Sequence, residues 1–347
     1  MVNGQTPPTQ TKSRQRLVLE FRAGPHPTES RYSQWNCAAR RLGTPKRMRI
    51  LATVTLLAAL AAPALATPPF QDKLLSDQAV KVSDHVWAIM GFPNIGIIVG
   101  SEATLVVDTG LGRRNGATVA QAAKKLAPHN RLFLTTTHFH PEHAAGVLGF
   151  PAGTLLIRDQ VQQDEMDQHG QEMIQVFAGR KELWKSLLAG EQLRPPDATF
   201  DHELRLNLGG GVAARLLWLG AAHTRGDEVV FVEPDKTLIS GDVIQNKVGP
   251  SISGAGGTAA SWISAVDAVA KLDVRHVLPD HSPIGDGSLV DQERSFLAGL
   301  RDRALAMKRQ GTSVEEAGQQ ITAEFKKKFP DWNIDNLTSF VRAAYAE

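Results

Sequence analysis

From residue 82 onward the apolar residues come in short runs broken by Gly and Asn. Residues 82–90, Ile95–Val99 and 104–107 read as a strand meander, because apolar and β-branched residues bounded by turn formers suit a pleated, half-buried surface. Over 116–126 the spacing changes to the three-and-four period of a helix, and Arg131–Thr135 returns to a strand. A second β-rich block covers 203–240, where VAARLLWL, EVVFV and TLIS are separated by the turn signals LGGG and EPDK. A helix over 259–272, a strand over 274–278 and a helical tail from Leu289 follow. Strands then helices, twice over, predict an α/β fold in which two sheets pack face to face with helices outside, an αββα sandwich. No fixed-period repeat is visible. Residues 159–193 lie between the two halves and are helical in pattern, with Met166, Met173, Phe177 and Trp184. They read as an amphipathic helix covering the core, with a roof over a functional site as the alternative.

Charge changes this picture at the amino-terminal end. Of the 38 Lys/Arg and 36 Asp/Glu, residues 1–49 hold ten of the basic ones against only Glu20 and Glu29. The remainder is therefore acidic, which argues against a nucleic-acid partner, because phosphate binding rests on cationic side chains. Met48-Arg49 opens the uncharged run ILATVTLLAALAAPALA, which ends in the small-x-small triplet Ala64-Leu65-Ala66. That is the pattern of a removed signal peptide, expected over 48–66 with cleavage after Ala66. The run is shorter than the ~20 apolar residues of a spanning helix, so no stable membrane anchor is expected after cleavage. A signal peptide complete from Met48 makes that residue the expected start of translation, with 1–47 an over-extended or disordered leader. The expected organisation is then a catalytic domain over 67–290 and a helical extension over 291–347, in a periplasmic or secreted protein.

The only cysteine, Cys37, falls in the leader, so any metal site in the mature chain must be built from His and carboxylates. Such a site is signalled by TTTHFHPEHAAG, which puts His138, His140, Glu142 and His143 within six residues. In an extended segment His138 and His140 project to one side, and the turn after Pro141 redirects Glu142 and His143. Imidazole and carboxylate are ligands that Zn²⁺ accepts at ~2.0–2.2 Å.

The string resembles the HxHxDH signature of the metallo-β-lactamase superfamily, and the resemblance extends over roughly residues 82–287. By that resemblance Asp108, in ATLVVDTG, orients a ligand histidine. His223, in GAAHTRGDEVVF, completes the first metal site. Asp242, in TLISGDVI, bridges two metals, and His281, in VLPDHSPIG, is the last ligand of the second. Glu142 stands where the family usually has Asp, which makes the first site the firmer of the two. The resemblance implies one to two Zn²⁺ per chain, which lower the pKa of a shared water toward ~7 and make a hydroxide nucleophile at neutral pH. Glu142 is then a candidate proton acceptor, and Lys247 a candidate anchor for a substrate carboxylate.

The expected function is hydrolysis of a small-molecule ester, lactone or thioester. An exported β-lactamase is the alternative; the resemblance implies that true β-lactamases usually lack the bridging aspartate. A metal-binding protein that has kept the fold and lost turnover is the non-enzyme alternative.

Overall fold

The computed structural model describes the backbone of β1 (Leu17–Leu19) and residues 74–347 apart from residue 255. The expected signal peptide and almost all of the leader lie outside the described residues. Within the leader, β1 is a strand that the polar, unpatterned sequence gave no sign of; it pairs parallel to the edge of one sheet.

One sheet is a run of neighbours in sequence order: β2 (Leu75–Lys81), β3 (Val86–Gly91), β4 (Ile95–Val99), β5 (Ala103–Val107), β6 (Arg131–Thr135), β7 (Leu155–Asp159) and β8 (Ala198–Phe200). The first four form an antiparallel meander; α1 (Gly112–Leu126) then makes the crossover that lets β6 lie parallel to β5. Between β6 and β7 comes α2 (Pro141–Ala144), and between β7 and β8 come α3 (Gln160–Ala178) and α4 (Glu182–Leu188). The other sheet orders β1, β9 (Glu203–Gly209), β10 (Val212–Trp218), β11 (Glu228–Val232), β12 (Thr237–Gly241), β13 (His276–Pro279) and β14 (Gly285–Asp286). Its helices are α5 (Ala259–Val269), α6 (Ser288–Arg309), α7 (Val314–Lys328) and α8 (Thr338–Tyr345).

The expected sandwich is formed, and alternation along each strand builds its layers. Leu105 and Val107 of β5 join Leu204, Leu206, Leu216, Val230 and Ile239 in the core between the sheets. Val106, facing the other way, packs with Leu134, Val119 and Ala123 under α1. On the far side Val229, Phe231 and Val277 meet Trp262 of α5 and Leu297, Leu300 and Phe340 of the carboxy-terminal helices. Periodicity found the long elements and misplaced their ends. The helix expected from 116 begins at Gly112, four residues earlier and without a side-chain cap. The strand expected over 82–90 occupies Val86–Gly91, because 82–85 are used in the turn. The helix expected over 259–272 ends its α-helical part at Val269 and closes in a 3-10 turn.

Glu293, on α6, is only 1% exposed, and its Oε2 has no partner among the described residues. Burial pushes its carboxyl up to about 8, against the opposing N–H of Gln245. A carboxyl with a raised folded pKa binds its proton more tightly when folded, so its contribution to stability is complete below the unfolded value and is lost as pH rises toward 8. Glu293→Gln should therefore flatten the fall in melting temperature between about pH 5 and about pH 8. Identical pH profiles for the two proteins would refute this.

Candidate metal centre

The expected ligands arrive on loops at strand ends, where backbone groups are free to turn side chains inward. His138 and His140 follow β6, Glu142 and His143 lie on α2, His223 lies between β10 and β11, Asp242 follows β12 and His281 follows β13. Gly241 makes the last turn of β12 possible: its φ is +55°, and a Cβ there would lie 2.8 Å from Cβ of Thr137.

The structure brings all seven residues together. One potential ligand atom each from His138, His140 and His223 lie within 4.8 Å of one another, and so do those of His138, His143 and Asp242 and those of Glu142, His143 and His281. Nδ1 of His140 lies 3.0 Å from Nε2 of His138 and 3.3 Å from Nε2 of His223. On the other side Nε2 of His143 lies 3.2 Å from Nε2 of His281. Asp242 sits between the two groups, with Oδ2 3.4 Å from Nε2 of His223 and Oδ1 3.5 Å from Nε2 of His281. Oε1 of Glu142 reaches to 3.9 Å from Nε2 of His143, so the longer carboxylate still comes within range of the second group.

The outward nitrogens decide what the inward ones present. Nδ1 of His223 lies 2.5 Å from the carbonyl of Ser251, an acceptor only, so it carries the proton and leaves Nε2 bare. Nδ1 of His143 faces Asp108 at 3.0 Å and Asp280 at 3.2 Å. Nε2 of His140 is fastened to Oγ of Ser253 at 2.9 Å. The three ring nitrogens converge at 3.0–3.3 Å, a spacing that suits a cation held among them, and partners of this kind behind the rings orient metal-binding histidines. Oε2 of Glu142 and Nδ1 of His281 are also buried without a partner among the described residues. Imidazole and carboxylate are ligands that Zn²⁺ accepts.

Electrostatics agree with a site built for positive charge. Burial, reinforced by mutual repulsion among the histidines, lowers His138 and His140 well below the ordinary value and keeps them neutral. His143 is the exception. Burial opposes its charge, but Asp108 and Asp280 outweigh burial and raise its pKa, so the ring attracts a cation, proton or metal. Burial alone would raise Asp242, yet His281, His223, His143 and His140 together hold it at about 2, ionised throughout the working range. Burial pushes Glu142 up to about 7.

Asp108 takes the position expected of it, accepting from Thr137 N at 2.7 Å as well as facing His143. Its φ of +72° is a conformation that Asp tolerates better than most residues. Lys247, expected as a substrate anchor, has a different partner: its Nζ lies 2.6 Å from Asp331. Segment 159–193 proves to be two helices that both cover core and flank the site. The ring of Phe177 on α3 lies 5.7 Å from that of His140 and stacks on Trp184 of α4 at 5.4 Å. Trp184 stacks on Phe92 at 5.2 Å, and Phe92 lies 4.8 Å from His281. Four supporting groups went unnoticed in the sequence. Asp280, beside His281, and Asp227, four residues after His223, which accepts from Ala222 N and Thr224 N and so shapes the His223 loop, were visible as acids near ligand histidines. Gln245 and Ser253 carried no signal.

A family model described as the metallo-beta-lactamase superfamily matches residues 88–281. No curated protein sequence matches the chain. Among solved structures, a metallo-beta-lactamase from Pontibacter korlensis is 19% identical, with TM-score 0.52 over 65% of this chain and 99% of that one. The stereoselective inverting sec-alkylsulfatase Pisa1 from Pseudomonas sp. is 16% identical, with TM-score 0.62 over 77% of this chain and 49% of that one. The metallo-beta-lactamase FIM-1 from Pseudomonas aeruginosa, in a mono-zinc form, is 18% identical, with TM-score 0.51 over 66% and 96%. At these identities the likeness is one of fold. The family match, by contrast, runs over more than half of the sequence and ends on the last of the clustered histidines: this chain belongs to the metallo-beta-lactamase superfamily.

Proposed function

We propose that the protein is a zinc-dependent hydrolase of a small carbonyl ester, lactone or thioester. The observation that carries this reading is the place of Asp242, whose two oxygens face His223 and His281 from between the two groups of nitrogens. His138, His140 and His223 would hold one ion, and Glu142, His143 and His281 a second, with Asp242 shared. Bound zinc would polarise the substrate carbonyl and ionise water near neutral pH. The chain does the rest. Asp242, ionised and held by Gln245 through a 2.8 Å hydrogen bond to Oδ1, keeps a fixed negative charge between the two groups. Glu142, whose Oε2 is buried without a partner among the described residues, would take up a proton on that oxygen during attack and return it to the leaving group. Phe92, Phe177 and Trp184 wall one side against water. The proposed substrate is a small molecule, with no nucleic-acid partner, and the signal-peptide pattern over 48–66 supports a mature chain in the periplasm or outside the cell without a membrane anchor.

The test is a panel of chromogenic lactone, thioester, carboxylic ester, alkyl sulfate and cephalosporin substrates, with zinc content measured on the same preparation. One to two zinc ions per chain and fastest turnover of a carbonyl ester or lactone are expected. A chain that takes up no zinc on titration would sink the reading; zinc without any turnover would leave a metal-binding protein.

A further inference from the structure

The family match ends at residue 281, whereas α6, α7 and α8 lie beyond it. These helices are more than a cover for the outer core, because two series of polar contacts lead from them to the clustered histidines and carboxylates.

The first passes through the strap over residues 247–253. Asn333 N–H donates to the carbonyl of Lys247 at 2.8 Å, and Gly249 N–H donates to the carbonyl of Asn333 at 2.9 Å. The Lys247–Asp331 pair fastens the same end, and Ile252 N–H donates to Oγ of Ser339 at 3.1 Å. The strap so fixed supplies the Ser251 carbonyl behind His223 and the Ser253 hydroxyl behind His140, and Ser253 N–H donates back to the carbonyl of His223 at 2.9 Å. The second passes through Gln245. Its backbone N–H meets the buried carboxyl of Glu293 on α6. Its side-chain amide donates to Oδ1 of Asp242 at 2.8 Å, while its Oε1 accepts from His281 N at 3.3 Å and from Oγ of Ser282 at 2.7 Å. One amide therefore ties the Asp242 loop to the His281 loop.

We propose that the carboxy-terminal helices brace the metal centre through two separable arms, with Ser339 positioning His140 and His223 through the strap, and Gln245 positioning Asp242 and His281. This rests on the reading that those residues hold zinc. Contacts behind a ligand fix its tautomer and direction, and losing one costs 10–100-fold in metal affinity. Because the strap ends only on ligands of the first set, whereas Gln245 ends on His281 and on the shared Asp242, loss of the strap should be felt at one ion and loss of Gln245 chiefly at the ion held by His281. A role confined to packing would weaken both ions together.

The experiment is a competitive zinc titration of the full-length chain against a chelator, with His223→Ala and His281→Ala used to assign the two binding steps. Ser339→Ala should weaken the step lost in His223→Ala by roughly tenfold and spare the other. Gln245→Met should weaken the step lost in His281→Ala by more than the other, which it reaches only through the shared Asp242, with Gln245→Glu, of similar volume but with an acceptor facing Asp242, as the second variant should the first not fold. Melting temperatures of the metal-free variants should stay near that of the parent. Equal weakening of both steps in step with a lower metal-free melting temperature would reduce the brace to packing, and unchanged affinities in both variants would remove it. A parent chain that binds no zinc would overturn the underlying metal reading whatever the variants do.

Discussion

His140→Ala should remove one equivalent of zinc and lower turnover at least ~10³-fold, while the metal-free protein remains folded. Nδ1 of His140 is the nitrogen that the other two share, at 3.0 Å from His138 and 3.3 Å from His223. A catalytic zinc site needs three protein ligands and one open position, and without His140 the first set keeps two imidazoles and a carboxylate that it shares with the second. The His223 ring is held from behind by the Ser251 carbonyl and so is not free to swing in for the missing ligand. The fold should tolerate the change, because His140 lies on the loop after β6 and the inter-sheet core is built without it. Elemental analysis after dialysis, with circular dichroism on the metal-free form, is the measurement. Parent zinc content in the variant would show that the first ion, if bound, is held elsewhere.

Much of the site was legible because its chemistry is local in sequence. His138, His140, Glu142 and His143 announce themselves within six residues, and each distant ligand follows a strongly apolar strand that delivers it to the sheet end. The sandwich was legible for the same reason: the strands of both sheets alternate or run apolar over five to seven residues. What escaped depends on contacts far apart in the chain. Gln245 acquires meaning only when β12 and β13 pair and bring Ser282 and His281 beside it. Ser253 is one of several serines in a Gly-rich loop until folding sets it against His140, 113 residues away. The pairing of Lys247 with Asp331, 84 residues on, carries no local sign in the sequence. Strand β8, three residues long, and β14, of two residues, are too short to show any period. Glu142 was uncertain on length alone, and the first turn of α2, begun by Pro141, is what brings its extra methylene to bear on His143.

Asp242→Ala should cost at least ~10²-fold in turnover of the preferred ester or lactone, on the scale of removing one group that stabilises a transition state. The carboxylate is ionised, half-buried among four histidines, and its two oxygens face both sets, so its removal takes away negative charge where two cations would repel most strongly. The second ion should loosen as well, because that set would keep only Glu142, His143 and His281. Asp242→Asn separates these effects: it retains the shape and the Gln245 contact at one atom but loses the charge. The variant should therefore sit with Asp242→Ala in turnover and closer to the parent in melting temperature. The same argument ranks substrates. A shared carboxylate fixes the nucleophile between the two sets, which favours attack on an ester or lactone carbonyl over a cephalosporin amide, and activity should rise through neutral pH as water in the site ionises. Efficient cephalosporin hydrolysis with negligible esterase activity would reverse that ranking, and an Asp242→Ala enzyme of undiminished rate would take away its cause.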